Sequence, residues 1–463
     1  MSTPKPNGSG LPLRFRRGQV ALGLALATLL ALGGWVYNEQ RSPPLREFKL
    51  EASPSALPLV DGAALTNVWA YNGQVPGPLL RIRLGERLRV DFKNSLPQST
   101  TIHWHGVRVP NAMDGVPGVT QPPIPAGGTF RYEFTPKDAG TFWFHPHHRA
   151  SEQVERGLYG ILVVDDPKPL PWSQDVVWVL DDWRLTEQAQ VDDRFNTPHD
   201  LMHDGRWGNV VSVNGRTREV LVVHPGERVR LRLVNTANAR IFLPEWSALR
   251  AQVIAVDGLG VESAFAPSGF ELAPGNRLDL DLRFAPEDAG KTYLIRDLFG
   301  RRPHDLATIQ VSAKPPVPTP SFDAPLTVMP SWPEAMSVEP HLVYRLGARR
   351  GGEYGITWTL NDAAHGEDTP AVLPQHQWVK LRYENTSSRL HPMHMHGVFF
   401  RVLARNGERA VEPHWRDTVL VHPQETVDIG LVPEDIGRWM LHCHILEHAE
   451  AGMMTTFTVT PGQ

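Results

Sequence analysis

The chain contains three copies of one pattern. Asn72-Gly73 is followed by Gly85-Glu86-Arg87-Leu88-Arg89-Val90 and then Asn94. The order returns as Asn214-Gly215, Gly226-Glu227-Arg228-Val229-Arg230-Leu231 and Asn235, and again as Asn361-Asp362, Trp378-Val379-Lys380-Leu381 and Asn385. A second marker follows in each copy: Pro136-Lys137-Asp138-Ala139-Gly140, Pro286-Glu287-Asp288-Ala289-Gly290 and Pro433-Glu434-Asp435-Ile436-Gly437. The period, about 147 residues, is domain length and far longer than a solenoid repeat. Such a chain folds as three like units in a row.

Within each copy, short runs alternate apolar and polar residues between clusters of Gly, Pro, Asn and Asp. Leu79-Leu80-Arg81-Ile82-Arg83-Leu84 and Val229-Arg230-Leu231-Arg232-Leu233-Val234 are examples. Side chains alternate faces along a strand, so these runs predict half-buried strands of sandwiches or Greek-key barrels. Amphipathic helices of any length are hard to find. The expected fold is all-β: three consecutive Greek-key β-sandwich domains. With 463 residues and 41% hydrophobic content the chain can bury about three cores. Pro-rich joints at Asp166-Pro167-Lys168-Pro169 and Lys314-Pro315-Pro316-Val317-Pro318 put the domains at 46–167, 168–315 and 316–463.

Residues 1–45 read differently. Lys5, Arg14, Arg16 and Arg17 precede an uncharged apolar run from Val20 to Val36. That order predicts an export signal or an inner-membrane anchor, with everything after about Asn38 in the periplasm. Arg16-Arg17 leaves the twin-arginine export route open. A net charge of −4, without a long run of like charge, argues against a nucleic-acid partner.

Ten of the twenty histidines fall in four clusters. They are His103-Trp104-His105, His145-Pro146-His147, His391-Pro392-Met393-His394-Met395-His396 and His442-Cys443-His444-Ile445-Leu446-Glu447-His448. Cys443 is the only cysteine, so no disulfide within the chain competes with a metal for its sulfur. A thiolate flanked by imidazoles, with Met453 ten residues on, supplies a blue-copper ligand set of two His, one Cys and a weak axial Met. On a strand each His-x-His aims two imidazoles one way, so His442 and His444 face away from Cys443. One short piece of backbone then links a thiolate site to a histidine site. The remaining eight histidines call for further copper.

The repeats locate that copper. His103 and His105 follow Asn94 by nine and eleven residues, and His394 and His396 follow Asn385 by the same steps. The middle copy has Pro244 and Trp246 there. His145 and His147 follow Asp138 by seven and nine, as His442 and His444 follow Asp435, where the middle copy has Ile295 and Asp297. A cluster using all eight must therefore lie between the first and third domains, with the second as a ligand-free spacer.

These four motifs, in this order and with this cysteine, resemble those of the three-domain multicopper oxidases, which include laccases and the periplasmic cuprous oxidases of copper-tolerance systems. The resemblance covers nearly all of the chain after about Phe48 and implies cupredoxin-like domains with about four copper ions. It implies a type 1 copper on His391, Cys443 and His448 with Met453 axial, and a type 2 copper on His103 and His394. One type 3 copper would take His105, His145 and His444, and the other His147, His396 and His442. The implied reaction takes four single electrons from phenolic, aromatic or metal-ion reductants, passes them through Cys443, and reduces dioxygen to water.

The resemblance also singles out acids. Asp114 matches a carboxylate that relatives place beside the trinuclear cluster to deliver protons; an Asp-Gly turn is the alternative. Asp417 matches an acid near the type 1 site that can contact substrate, or that serves structure alone. The glutamate that often follows the last type 1 histidine is Ala449 here, between Glu447 and Glu450. Met454 would replace Met453 only if the register slips by one. His199 and His203 have helical spacing, but Pro198, Asp200 and Gly205 favour a loop without metal. The stretch Arg345–Gly355, where cuprous oxidases carry a methionine-rich insertion, is short, polar and free of Met. It predicts an uncovered type 1 edge at which bulky phenols reach His448 directly. Laccase-like oxidation is thus expected ahead of dedicated cuprous oxidation. A non-enzymatic copper-binding envelope protein is the reading from another class, and the complete ligand set argues against it.

Overall fold

The computed structural model describes residues 1–2, 43–323, 338–412 and 414–462. The apolar run Val20–Val36 and its basic flank, read above as a signal or anchor, lie outside the described residues. From Leu45 onward the chain is built of strands, and the three helices described here are five or six residues long.

Among the described residues six sheets form, two from each copy of the repeat. The first copy pairs a sheet ordered Thr66–Tyr71, Leu45–Leu57, Arg87–Asn94, Thr129–Phe134 with one ordered Leu80–Arg83, Gly160–Asp165, Gly140–His145, His103–His105. In every copy the first strand runs parallel to the strand that ends in the repeated asparagine: Leu45–Leu57 with Arg87–Asn94, Gln174–Trp183 with Arg228–Asn235, Leu342–Arg350 with Val379–Asn385. The chain is three sandwiches.

The repeated asparagines do one job three times. Asn72, Asn214 and Asn361 sit at φ of 53°, 55° and 54°, the left-handed region that asparagine tolerates in a tight turn. Each accepts a backbone N–H on the first strand of its copy (Glu51, Val179, Arg345) and donates to a carbonyl two residues earlier. Asn94, Asn235 and Asn385 each accept from the backbone N–H two residues on and donate to carbonyls of two converging loops. In the first and third copies those loops lead to histidine strands.

The alternation holds for Leu80–Arg83, whose arginines are exposed. It fails for Val229–Val234, which is buried on both faces. There Arg228, Arg230 and Arg232 are paired with Asp281, Asp279 and Asp175 at 2.8, 2.6 and 2.6 Å. Arg232 also donates to Thr141 of the first sandwich at 2.8 Å, so a face expected to meet water meets protein. A buried guanidinium survives only when its donors are paired, and these are.

The second sandwich has its own core around Trp178, Leu231, Phe242 and Leu280. The first and third share a continuous apolar core running from Phe92, Trp104 and Phe144 to Met393, Trp439, Cys443 and Phe457. The two histidine-bearing sandwiches thus pack as one body, with the imidazoles between them.

Candidate metal centre

Strand pairing brings the four clusters together. His103–His105 lies antiparallel to Gly140–His145, with His103 opposite His145. His391–Met395 lies antiparallel to Gly437–Cys443, with His394 opposite His442 and Met393 opposite Cys443. Across the seam, His103 stacks on His396 and His105 on His394, each with ring centroids 3.8 Å apart. The eight imidazoles sort into groups whose ligand atoms lie within 4.8 Å of one another: His103, His105 and His394; His105, His145 and His444; His147, His396 and His442.

Hydrogen bonds fix which nitrogen each ring presents. Carbonyls can only accept, so Nδ1 is the donor where it meets one: His103 to Asp114, His145 to Pro146, His394 to Asp417 and His442 to Cys443, at 2.8 to 2.9 Å. His396 donates its Nδ1 proton to the Asp114 carboxylate at 2.9 Å, and His105 turns Nε2 toward Asp417 at 3.2 Å. What remains is a set of inward lone pairs. The Nε2 atoms of His103, His145 and His394, Nδ1 of His105 and both nitrogens of His444 are buried without a hydrogen-bond partner. Burial and the neighbouring imidazoles hold His105, His145, His147, His396 and His444 well below the ordinary imidazole range, and His442 at about 3. Neutral, unsatisfied, convergent imidazoles are what copper requires.

A second group lies on the other side of the last strand. Cys443 Sγ is 3.6 Å from His391 Nδ1 and 3.8 Å from His448 Nδ1, and the two Nδ1 atoms are 3.2 Å apart. His448 donates from Nε2 to the His203 carbonyl at 2.6 Å, so its Nδ1 carries a lone pair aimed at its partners. The Nε2 of His391 meets the Ser387 hydroxyl at 2.9 Å. Burial keeps both imidazoles neutral and pushes the thiol up, so the sulfur ionises only against a bound cation. Two imidazoles and one thiol in a dry pocket fit copper. Met453 is fully buried in the same core as Cys443, to whose N–H its carbonyl is bonded at 3.0 Å. Met454 lies elsewhere, in the wall of a cleft beside His147 and His442.

The two acids lie in different surroundings. Asp114 is both a turn residue and a neighbour of the imidazoles: it closes the short helical turn Asn111–Met113, while its carboxylate accepts from His396. Asp417 is fully buried beside His105 and His394 rather than beside His448, so it cannot touch a reductant arriving from solvent. Burial alone would raise its carboxyl, but the Arg277 guanidinium at 2.6 Å and His394 hold it at about 2.

Arg277 belongs to the second sandwich, which is therefore more than a spacer. It contributes no member of the ligand groups, but its Arg277, Asn276 and Asp257 bind Asp417 and Thr418. Gly275 packs so closely that a Cβ there would lie 2.8 Å from His105 and 3.1 Å from His444. Glu447 is likewise held by Asn238 and by the Arg206 N–H. No pattern in the sequence marks these residues, because their partners lie more than 100 positions away in another copy of the repeat.

The edge of His448, expected to be open, is closed. The ring is fully buried beneath Trp358, 4.3 Å away, and the helix Pro198–Met202, which we label α1. Residues 198–205, read above as a loop, make this helix because Thr197 caps it by accepting from the Asp200 N–H and Pro198 occupies its first turn. Leu201 is buried, and its carbonyl accepts from Trp358 Nε1 at 2.7 Å. The Arg345–Gly355 stretch is mostly strand, Leu342–Arg350, leaving only a tight turn after it. A cleft of about 260 Å³ reaches His145, His147 and His442, with His148, Arg149 and Glu450 in its walls.

Comparison with known proteins gives one answer. Residues 58–169 and 338–463 both match multicopper oxidase family descriptions. Multicopper oxidase MmcO of Mycobacterium tuberculosis is 28% identical over 432 residues, covering 85% of this chain and 83% of its own. The crystal structure of a multi-copper oxidase from Pseudomonas thermotolerans superposes with a TM-score of 0.81 at 32% identity, over 90% of this chain and 100% of that one. A laccase-like multi-copper oxidase CueO from Ochrobactrum sp. gives 0.77 at 27%, over 91% and 100%. This chain belongs to the multicopper oxidase family: it is a laccase-like oxidoreductase that carries type 1, type 2 and type 3 copper and couples one-electron oxidations to the reduction of dioxygen.

Proposed function

We propose that His391, Cys443 and His448, with Met453 as a further ligand, would hold the type 1 copper, and that the eight other clustered imidazoles would hold the rest. His103 and His394 take the type 2 ion; His105, His145 and His444 take one type 3 ion, and His147, His396 and His442 the other. The convergence of buried lone pairs from both histidine-bearing sandwiches carries this reading. When bound, copper supplies one-electron chemistry, accepting electrons singly from a reductant and delivering four to dioxygen.

The chain's own residues provide the rest. Cys443 is bonded through the backbone to His442 and His444, so a single peptide segment spans the two groups. Hydrogen bonds to carbonyls and to Asp114 and Asp417 fix the tautomer and orientation of the rings before metal arrives, which raises their basicity. Asp114 holds a carboxylate against His396 and is the proton relay. The cleft at His147 and His442 admits dioxygen and releases water. Because His448 is covered, reductants donate over α1 and Trp358 and not by contact with the imidazole.

Phenolic or aromatic compounds and small metal ions are the proposed reductants; the Ochrobactrum relative is described as an oxidase of lignin model compounds and lignosulfonate. Domain boundaries at 167/168 and 315/316 are supported by the strand-free segments 166–173 and 312–323. Placement in the periplasm, by a cleaved or retained N-terminal segment, is supported by the basic residues ahead of Val20–Val36.

Copper counting with visible spectroscopy and oxygen uptake tests the assignment. About four ions per chain and an intense blue band are expected from this ligand set. Cys443→Ser removes the blue band and the activity while leaving the histidine-bound copper in place. A reconstituted protein with one copper, or a blue band that survives Cys443→Ser, overturns it.

A further inference from the structure

Seven of the eight imidazoles between the first and third sandwiches are buried, and His147 alone is half-exposed. It lines the cleft of about 260 Å³ together with His145 and His442. The group to which His147 belongs is ready for an ion. His442 Nε2 lies 3.3 Å from His147 Nε2 and 3.2 Å from His396 Nε2. His442 and His396 donate from Nδ1 to the Cys443 carbonyl and the Asp114 carboxylate, so both of their Nε2 atoms present lone pairs. The next group, His105, His145 and His444, meets the same cleft through His145. The thiolate pocket does not: His391, Cys443, His448 and Met453 are fully buried, and none of them lines the cleft.

The walls of the cleft hold donors that no copper group uses. Met454 lies directly opposite His442 where Gly437–Cys443 pairs with Met454–Thr460. Opposed residues of an antiparallel pair share a face, with Cβ atoms about 4.5–5.5 Å apart, so the thioether stands beside the His442 ring. Alternation along the chain sends Met453 to the other face, into the core that holds Cys443. Each face thus has one thioether. Met454 is only half-buried, and packing alone would be served as well by leucine. His148, also half-buried, and His365, exposed, complete the soft donors of the wall. Thioether sulfur and imidazole nitrogen suit monovalent copper, whereas Mg²⁺, Ca²⁺ and Mn²⁺ prefer oxygen.

We propose that this cleft is the loading route for the histidine-bound copper, and that Met454 and His148 form a transient site that passes monovalent copper to His147 and His442. This rests on the multicopper oxidase reading and adds how the metal reaches a seam between two folded sandwiches. The transfer is ligand exchange: copper enters and arrives as Cu(I), the wall donors let go as the imidazoles bind, and no electron moves. No proton moves either, because the receiving nitrogens already carry lone pairs. The exchange runs inward because the wall offers fewer and weaker donors than the three imidazoles beyond it. The thiolate pocket, closed off from the cleft, fills by another route.

The test is the rate at which full-length, copper-free protein takes up copper from chelated Cu(I) without oxygen. Samples stripped of free metal at intervals are analysed for total copper, then exposed to air so that the blue band reports the thiolate site separately. Met454→Leu, which keeps side-chain volume and removes only sulfur, should slow histidine-bound loading several-fold, and His148→Gln should do the same. The blue band should appear at the parent rate in both. Loading from Cu(II), which gains little from a thioether, should be unchanged in Met454→Leu. Both variants should reach the parent's final copper content, since a transient site changes rate and not endpoint. Equal Cu(I) loading rates in the parent and both variants overturn the proposal. So does a Met454→Leu defect of the same size with Cu(II), or a permanently lower final content. A parent protein that never takes up histidine-bound copper would instead sink the multicopper reading itself.

Discussion

Arg277 of the second sandwich grips Asp417 of the third through a two-bond fork, Nη1 to Oδ1 at 2.9 Å and Nη2 to Oδ2 at 2.6 Å, in contact with His105 and His394. Both side chains are fully buried, and Arg277 also donates to the carbonyls of Thr141, Asp257 and Gly275. The fork ties all three sandwiches at the imidazole cluster. Removing one partner strands a buried charge, which costs about 3–5 kcal/mol. Arg277→Gln should therefore lower stability by that order and loosen His105 and His394. Histidine-bound copper should fall while the blue band persists, since His391, Cys443 and His448 do not touch the fork. Metal analysis beside the visible spectrum checks this; parallel loss of both signals would contradict it.

Gly275 offers a smaller change at the same seam. Its φ of 89° is left-handed backbone, which costs an L-residue about 1–2 kcal/mol. A methyl there would also press on His105 Cε1 at 2.8 Å and His444 Cδ2 at 3.1 Å. Gly275→Ala should displace two imidazoles of one copper group by a few tenths of an ångström and cut oxygen reduction far more than it cuts type 1 reduction by substrate. Anaerobic bleaching of the blue band, compared with steady-state oxygen uptake, separates the two.

These contacts mark where the sequence stopped being readable. The repeat was visible because Asn72, Asn214 and Asn361, and again Asn94, Asn235 and Asn385, make the same local hydrogen bonds in each copy. The histidine clusters stood out because ligands at i and i+2 on one strand leave a local spacing. Arg277, Asp257 and Gly275 leave none, since each acts on a residue in another sandwich. Asp417 was misplaced for that reason: its motif says nothing about an arginine 140 positions away that draws it inward. The cover over His448 was missed because α1 sits in an insertion of the middle copy with no counterpart in the other two. Val229–Val234 read as half-buried because arginines usually face water, and here they face aspartates.

The buried imidazoles set a pH dependence for the metal-free chain. Folded His105, His145, His147, His391, His396 and His444 titrate well below the ordinary value of 6.5, and His442 and His448 at about 3. As pH falls through 6.5 the unfolded chain binds protons that the folded chain refuses, so folded stability declines from about pH 6.5 toward pH 3. Each such histidine contributes at most about 1.4 kcal/mol per pH unit. Thermal melts of the apo protein should drop steeply between pH 7 and pH 5. The copper-loaded protein should be more stable throughout and its slope at least as steep, because neither folded form takes protons on these imidazoles and Cys443 gives up its proton to copper. A flat melting temperature for the apo protein between pH 7 and pH 5 would show that the folded imidazoles take up protons freely.

Asp114 sits where a proton relay is needed. Reduction of dioxygen to water consumes protons at the imidazole cluster, and Asp114 is 1% exposed with its carboxylate on His396 and its carbonyl on His103. Asp114→Asn keeps the turn, the carbonyl acceptor and the size of the side chain, but it cannot cycle a proton. General acid–base contributions are typically about 10²–10⁴-fold, and a relay with a water alternative should lose toward the lower end. Oxygen uptake should therefore fall by about a hundredfold, with a steeper decline at high pH, where hydronium cannot substitute. Anaerobic reduction of the type 1 site should proceed at the parent rate, since His391, Cys443 and His448 keep every neighbour. Asp114→Ala would be a poor test, because it also removes the acceptor that orients His396. Unchanged oxygen uptake across pH in Asp114→Asn would reduce the residue to its part in the turn.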